Sequence, residues 1–429
     1  MPLFKFQEPH CDALERALNF HNVALDASDL GTGKTICACE TARRMGKKLI
    51  VVGKKIMKPT WAHWMGQWGL DGVVGNWELA RRRGLPVDRS ALYVFDEVHE
   101  GAGYKTLNAK LLINTYEAGL PCLLLSATAI ESPLKMWALG YLLGFHNLKD
   151  FYRWGFKNGV VRNYGFPGYH FNRSEAVLTR IHQHVFPEWG SRMRRALIPE
   201  FPECQYLLEL IGIEEDKRLT KWLDMITVRE AQHELKMAEQ AEKAGMPYGN
   251  PAGDVLPALT FARMRAELSK VPAILEHVAE AVEEGFSVVV FVNFLPTLDA
   301  LVSLSKERPG LIYGEQRIEE REETIFRFQG DQSRVLFSTI DSGGASINLH
   351  DVTGAHPRLA LVCPTWRATT LRQALGRVHR AGAKSKTVQK LLYAAGSIEE
   401  GIATRVMGKL DQIDLINDAD LAEPEFIAA

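Results

Sequence analysis

The sequence is short of several things. Its six cysteines, at 11, 37, 39, 122, 204 and 363, include no Cys-x-x-Cys pair, so neither a zinc site nor a disulfide framework is indicated. Reduced thiols are expected, with Cys37 and Cys39 packing as small residues of a helix. No run of about 18 apolar residues exists to span a bilayer, and the opening MPLFKFQEPHCD meets charge too early for a secretory signal, so a cytoplasmic protein with no membrane partner is expected. Low-complexity and heptad segments are missing, which excludes disorder and fibre. Net charge is missing too: 51 Lys and Arg against 52 Asp and Glu leave a formal value of −1. A nucleic-acid partner would therefore be met by local patches. One such patch is defined by absence, for Thr41 to Leu70 holds no Asp or Glu but holds Arg43, Arg44, Lys47, Lys48, Lys54, Lys55 and Lys58.

What is present is an ordinary globular composition, 46% hydrophobic and 24% charged, over 429 residues. That length predicts two or three domains. Early in the chain, short apolar runs (NVALDA, KLIVVG, ALYVFDE, CLLLSAT) alternate with helical patterns, the rhythm of a parallel sheet covered by helices. The rhythm returns near the C-terminus in SVVVFVNF, GLIYG, RVLFSTI, RLALVCPTW and VQKLLYAA. An α/β fold with two lobes is predicted, lobe 1 over 1–145 and lobe 2 over 266–429. Residues 146–265 lack β rhythm and contain one long helical stretch, so an insertion and linker are predicted there.

SDLGTGKT, residues 28–35, follows an apolar run and opens a helical pattern, the setting a phosphate-binding loop requires. The glycines at 31 and 33 let N–H groups turn inward around phosphate oxygens, and the helix N-terminus adds the positive end of its dipole. Gly31, Thr32, Gly33, Lys34 and Thr35 are candidate nucleotide ligands, with Lys34 on the β and γ phosphates and Thr35 on Mg²⁺. The strict pattern would place a glycine where Ser28 stands. Downstream, LYVFDEVH ends a strand on Asp96 and Glu97, whose side chains diverge. Asp96 can hold magnesium and Glu97 can deprotonate the attacking water. In LRQALGRVHRAG, residues 371–382, helical periodicity separates an apolar stripe (Leu371, Leu375, Val378) from a polar one (Gln373, Gly376, Arg377, Arg380).

GTGKT, DEVH and SAT (126–128) resemble motifs I, II and III of the superfamily 2 helicases and translocases. SGGASINL (342–349) resembles motif V, and QALGRVHRAG resembles motif VI. SATAIESPLKMWALGYLLGF, SRMRRALIPEFP and SIEEGIATRVMGKL are similar to the Swi/Snf branch, whose members move along duplex DNA. The resemblance implies two tandem RecA-like lobes, ATP and Mg²⁺ as cofactors, and ATP hydrolysis between the lobes. It implies that Gln7 reads adenine, that Arg377 and Arg380 stabilise charge on the transferring phosphoryl group, and that His99, Ser126, Thr128, Gly344 and Gln373 couple the nucleotide to the second lobe. Ser346 stands where the branch usually has glycine, and Ala383 where glutamine is common.

For nucleic acid, VVGKKIMKPTWAHW resembles the DNA-contacting motif Ia region, which makes Lys54, Lys55 and Trp61 candidates; Asn293 and Thr339 are candidates in the second lobe. Residues 151–174 carry eight Phe, Trp or Tyr among 24, interleaved with Arg153, Lys157, Arg162 and Arg173 and no acid. Arg162 and Tyr164 could contact a strand there by stacking and charge. The same rings could instead be a small core that pins the insertion to lobe 1. The function expected is an ATP-dependent motor on duplex or branched DNA, acting as a monomer. Single-stranded DNA is a further possible partner. A strand-separating DNA or RNA helicase is one rival, and a nucleotide-gated binding module without turnover is another.

Overall fold

A computed structural model describes residues 3–163, 168–199, 201–213, 216–243, 251–343, 347–402, 406 and 427–428. Tyr164, Gly344 and Ser346 lie outside the described residues. The chain forms two compact units that divide between Phe201 and Pro202. Each is built on an all-parallel sheet.

The first sheet contains β1 (Val23–Asp26), β2 (Lys48–Gly53), β3 (Gly72–Asn76), β4 (Ala91–Asp96) and β5 (Cys122–Leu125). A hairpin of β6 (Val160–Arg162) and β7 (Tyr169–Phe171) stands apart from it, and β8 (Gly190–Ser191) closes one edge. The strand order is β3-β2-β4-β5-β1-β8. Buried side chains alternate along each strand. Val23, Leu25, Ile50, Val52, Tyr93 and Phe95 pack on one face with the helices Leu107–Glu117 and Glu175–Val185. Ala24, Leu49, Val51, Leu92, Val94 and Leu123 pack on the other with Glu8–His21 and Lys34–Arg44. Burial of both faces explains why these strands read as unbroken apolar runs.

The second sheet joins β9 (Cys204–Ile211), β10 (Ser287–Val292), β11 (Gly310–Ile312), β12 (Val335–Thr339), β13 (Arg358–Val362), β14 (Thr387–Ala394) and β15 (Ile427–Ala428) in the order β11-β12-β10-β13-β14-β9-β15. Helices Val271–Glu283 and Leu295–Leu304 cover it, and Trp222, Ile226, Met264 and Leu268 extend the same core. The helix Thr220–Lys243 occupies the stretch expected to be helical, and a second helix, Pro251–Ser269, lies beyond it.

The region 146–265 is less uniform than its sequence suggests. Residues up to 201 belong to the first unit and those from 202 to the second, and four strands lie within it. β8 is two residues long, too short for a periodic signal. β9 pairs with β14 over all eight of its residues, from Cys204↔Thr387 to Ile211↔Ala394, yet is half-buried and mixes polar with apolar positions, which masks it. Among the described residues no helix is long and apolar enough to cross a membrane.

Buried charge organises the second unit. The Lys270 ammonium, fully buried, donates to both Glu399 carboxylate oxygens at 2.7 and 2.9 Å and to the Leu392 carbonyl at 2.8 Å. Glu267 accepts from Asn293 N, Asn293 Nδ2 and Phe294 N at 2.9, 2.6 and 3.0 Å, which pins the turn after β10 where the helix Leu295–Leu304 begins. Burial holds the Glu267 carboxyl above its ordinary range despite Lys270 and these donors.

Candidate active site

The phosphate loop begins where β1 ends, and a second piece of chain runs beside it. Leu25 N, Ala27 N and Asp29 N donate to the carbonyls of Trp189, Ser191 and Met193 at 2.9, 3.1 and 3.0 Å, so the ladder between β1 and β8 continues into the loop. Ser28 accepts the Met193 N–H on its hydroxyl at 3.0 Å, and its own N–H donates to Asp26 at 2.9 Å. That gives the departure from glycine a physical reason: a hydroxyl here latches the loop to residues 191–195. Arg192 donates to Asp29 Oδ1 and Arg195 N to Asp29 Oδ2, both at 2.9 Å. Beneath them His10 lies 3.1 Å from Asp26 and 2.8 Å from the Ser191 hydroxyl. Burial alone would raise the Asp26 carboxyl, but His10, Lys34 and Ser28 together hold it below its ordinary value.

At the loop's far end Gly31 and Gly33 take φ of 83° and 97°, values that suit glycine. A Cβ on Gly33 would lie 2.4 Å from Gln7 Nε2, so a side chain here would push the Gln7 amide from its place. The buried Gln7 amide is engaged at both ends: Nε2 donates to the Thr32 carbonyl at 2.8 Å and Oε1 accepts from Phe4 N at 3.0 Å. Thr32 folds its hydroxyl inward onto the Asp29 carbonyl at 2.8 Å. Lys34 opens the helix Lys34–Arg44, with Thr35 next to it, and its ammonium donates to the carbonyls of Ser28 and Asp29 at 2.8 and 3.1 Å. Burial pulls the Lys34 ammonium down from its ordinary range, opposed by Asp26, Glu97, Asp96 and Asp29.

Asp96 is the last residue of β4, and Glu97 turns into the left-handed region at φ 53° before the 3₁₀ helix Val98–Gly101. Two indoles brace Asp96. Trp61 donates to Oδ2 at 2.9 Å, and Trp77 to the backbone carbonyl at 3.1 Å. Trp61 is fully buried, which corrects the expectation that it meets nucleic acid: its position in a cation-rich stretch suggested stacking, but its N–H is spent on a carboxylate. The Asp96 carboxyl is pushed up to about 7, first by burial and then by the charge of Glu97, with Trp61 and Lys34 opposing. Glu97 Oε2 lies 3.4 Å from His99 Nδ1, which contacts the Ser126 hydroxyl at 3.1 Å; that hydroxyl accepts from Thr128 N at 3.1 Å. Lys54 reaches Glu100 at 3.3 Å and is half-buried, whereas Lys55 is exposed.

In the second unit the helix expected over 371–382 ends at Val378, so Arg377 and Arg380 do not share one helical face. His379 is already extended, and its ring meets the Pro202 carbonyl at 2.6 Å. Arg380 Nε instead donates back to the Gly376 carbonyl at 3.1 Å, closing the helix C-terminus. The polar stripe is not a solvated face. Arg377 is 3% exposed and Gln373 5%, and Gln373 Nε2 finds no hydrogen-bond partner among the described residues. The Arg377 carbonyl accepts Leu349 N at 2.9 Å, joining the two motifs through the backbone. The half-buried Asn293 has both amide hydrogens engaged, by Glu267 and the Pro364 carbonyl, and Thr339 is buried at the end of β12. Arg162 is exposed on the hairpin.

The Mg²⁺ expectation can be weighed on the donor set. Two buried carboxylates lie close to a lysine whose pKa burial lowers, and burial and the charge of Glu97 push the Asp96 carboxyl up to about 7. A divalent cation would relieve that repulsion. No group of three or more His, Cys, Asp or Glu among the described residues could hold a metal alone. This suits Mg²⁺, which keeps waters and phosphate oxygens as most of its ligands. Thr35 and Asp96 would be the protein's share.

Comparison with known proteins adds descent to geometry. The family described as "Helicase conserved C-terminal domain" matches residues 269–382. A DNA repair and recombination protein RAD54-like of Drosophila pseudoobscura pseudoobscura is 28% identical over 58% of this chain, which spans only 32% of that relative. A putative ATP-dependent RNA helicase L364 of Acanthamoeba polyphaga mimivirus is 30% identical over 98% of this chain and 84% of its own length. The chain belongs to the superfamily 2 helicases. This helicase is a nucleic-acid-dependent ATPase. Its parallel sheets are those of tandem RecA-like lobes: S. cerevisiae Dbp5 bound to RNA and ADP BeF3 matches with TM-score 0.54 and 13% identity over 99% of this helicase and 89% of that chain. The Sulfolobus solfataricus SWI2/SNF2 ATPase core in complex with dsDNA gives 0.40 and 16% over 98% and 94%.

Three features of the site escape the sequence: the His10–Asp26 pair, the Ser28 latch and the two indole braces. One signal was available for the first. Asp26 interrupts the apolar run NVALDA, and a carboxylate inside a strand buried on both faces must find a partner.

Proposed function

We propose that this helicase is an ATP-driven translocase on duplex or branched DNA. In this reading Lys34 holds the β and γ phosphates, the N–H groups of residues 31–35 cradle them, and Glu97 takes the proton of the attacking water. Mg²⁺, held with Thr35 and Asp96, would neutralise phosphate charge. Arg377 and Arg380 add positive charge for the γ-phosphoryl group, and Gln7 turns from Thr32 to the adenine ring. The chain of contacts Glu97–His99–Ser126–Thr128 supports coupling, because it ties the base to the segment after β5.

The observation that carries the reading is the pairing of Asp96 and Glu97 at the end of a buried strand, with both charges felt by Lys34 in the phosphate loop. The DNA track is supported by the RAD54-like relatives, whose names state DNA repair and recombination. An RNA track is the second reading, favoured by the name of the mimivirus relative. Hydrolysis measured with blunt duplex DNA, forked DNA, single-stranded DNA, duplex RNA and single-stranded RNA in parallel decides between them. Strong stimulation by blunt duplex DNA is expected. Stimulation by RNA alone would overturn the DNA assignment, and displacement of a third strand from a triplex, without unwinding of the duplex, would favour translocation over strand separation.

A further inference from the structure

The aromatic segment divides into two populations of rings. Phe151 is 3% exposed and packs into the first unit's core together with the half-buried Trp154, as the core reading of the sequence expects. Other rings face outward. Tyr104, Phe156 and Tyr169 are 40, 50 and 38% exposed, and Tyr152, half-buried and packed against the core beneath, bridges them. Centroid separations of 5.1 Å for Tyr104–Tyr152, 5.0 Å for Tyr152–Tyr169 and 5.7 Å for Phe156–Tyr169 make one continuous surface. Three separate pieces of chain build it. Tyr104 comes from the turn after the Glu97 segment; Tyr152 and Phe156 share a helical face at i, i+4; Tyr169 opens β7.

The surroundings are cationic. The Lys105 ammonium lies 5.1 Å from the Tyr104 ring centre, Arg162 pairs with Tyr169 across the hairpin, and Arg153 and Lys157 are exposed on the short helix. Between 151 and 174 the sequence has no acid; Asp150 stands just before. Rings gathered at a surface mark a binding face. A ring face with these cations beside it matches a partner that presents both π-faces and a run of anions, which a strand with unpaired bases does.

We infer that Tyr104, Tyr152, Phe156 and Tyr169 form a stacking surface for unpaired bases of a DNA strand that branches from the duplex. Arg153, Arg162 and Lys105 meet the phosphates of that strand. The inference rests on the DNA-motor reading and adds a preference for branched substrates to it.

The full chain carrying Phe156→Ser and Tyr169→Ser tests it, since both rings are exposed and folding should survive. Binding is read by fluorescence anisotropy on forked DNA with two single-stranded arms and on a blunt duplex of the same paired sequence. The variant should bind the fork about tenfold more weakly, as loss of a stacked base requires, and the blunt duplex as before. A 2-aminopurine in one arm should be quenched by the native protein and not by the variant, and Tyr169→Phe should restore quenching. Equal losses on both substrates, an unchanged fork affinity, or a loss confined to forks with RNA arms would overturn the inference. The track itself is read separately, from stimulation of the native protein's hydrolysis by blunt duplex. Failure there removes the duplex reading, while the comparison of variant with native protein on the fork still decides the surface.

Discussion

Replacing Trp61 with phenylalanine should shift the pH at which the enzyme becomes active. The indole is fully buried and donates to Asp96 Oδ2 at 2.9 Å; a phenyl ring fills most of the same space but donates nothing. Asp96 already holds its proton to about 7, because burial and Glu97 raise it while Trp61 and Lys34 hold it down. A hydrogen bond to a charged group is worth about 1.5–3 kcal/mol, and ~1.4 kcal/mol is a factor of ten. The ionised form of Asp96 should therefore become about ten- to a hundredfold harder to reach near neutrality. Only that form can join a metal, so Trp61→Phe should move the acidic limb of the ATPase profile upward and raise the magnesium needed for half activity. Stimulated hydrolysis recorded between about pH 6 and 9 at several magnesium concentrations reads both effects. The stability effect has a definite sign. The folded state holds a proton on Asp96 between about pH 4 and 7 that the unfolded chain has lost, so stability falls as pH rises through that window, and the variant should extend the fall to higher pH. Superimposable profiles for variant and native protein would refute the reasoning, as would an activity loss that neither alkali nor magnesium restores.

Three further outcomes follow from the geometry. Glu97→Gln should lower single-turnover hydrolysis by about 10²- to 10⁴-fold with nucleotide affinity retained, and full activity would remove Glu97 as the base. Lys270→Met leaves Glu399 buried beside an apolar chain and should cost about 3–5 kcal/mol in chemical denaturation, much of it regained in the double variant with Glu399→Leu; an unchanged midpoint for the single variant would contradict the burial of the pair. Ser28→Gly restores the glycine usual for such loops but strips Met193 N–H of its acceptor, and should cost about 1–3 kcal/mol of thermal stability, whereas an equally stable variant would show that the latch holds nothing.

Strands buried on both faces were legible because nothing polar interrupts them, as in ALYVFD and SVVVFV. The phosphate loop was legible because its chemistry is local: glycines, a lysine and a helix start fall within eight residues. Legibility failed where function depends on a distant partner. Trp61 is the residue type that stacks bases, and only Asp96, 35 positions away, makes it a brace. The helix carrying Arg377 stops at Val378 with no glycine or proline to announce it until Gly382, since the stop is made by His379 turning toward Pro202. The aromatic segment suits both a core and a binding face, and the structure divides it ring by ring, with Phe151 inside and Phe156 outside.

The Lys34 ammonium rests on the carbonyls of Ser28 and Asp29, and the Gln7 amide on Thr32 and Phe4. In the proposed reading an arriving triphosphate would exchange hydrogen bonds with the loop instead of adding to them, which would limit its affinity. The same exchange would run backward when product leaves: the ammonium would return to waiting carbonyls, a condition that favours repeated turnover over tight retention of ADP.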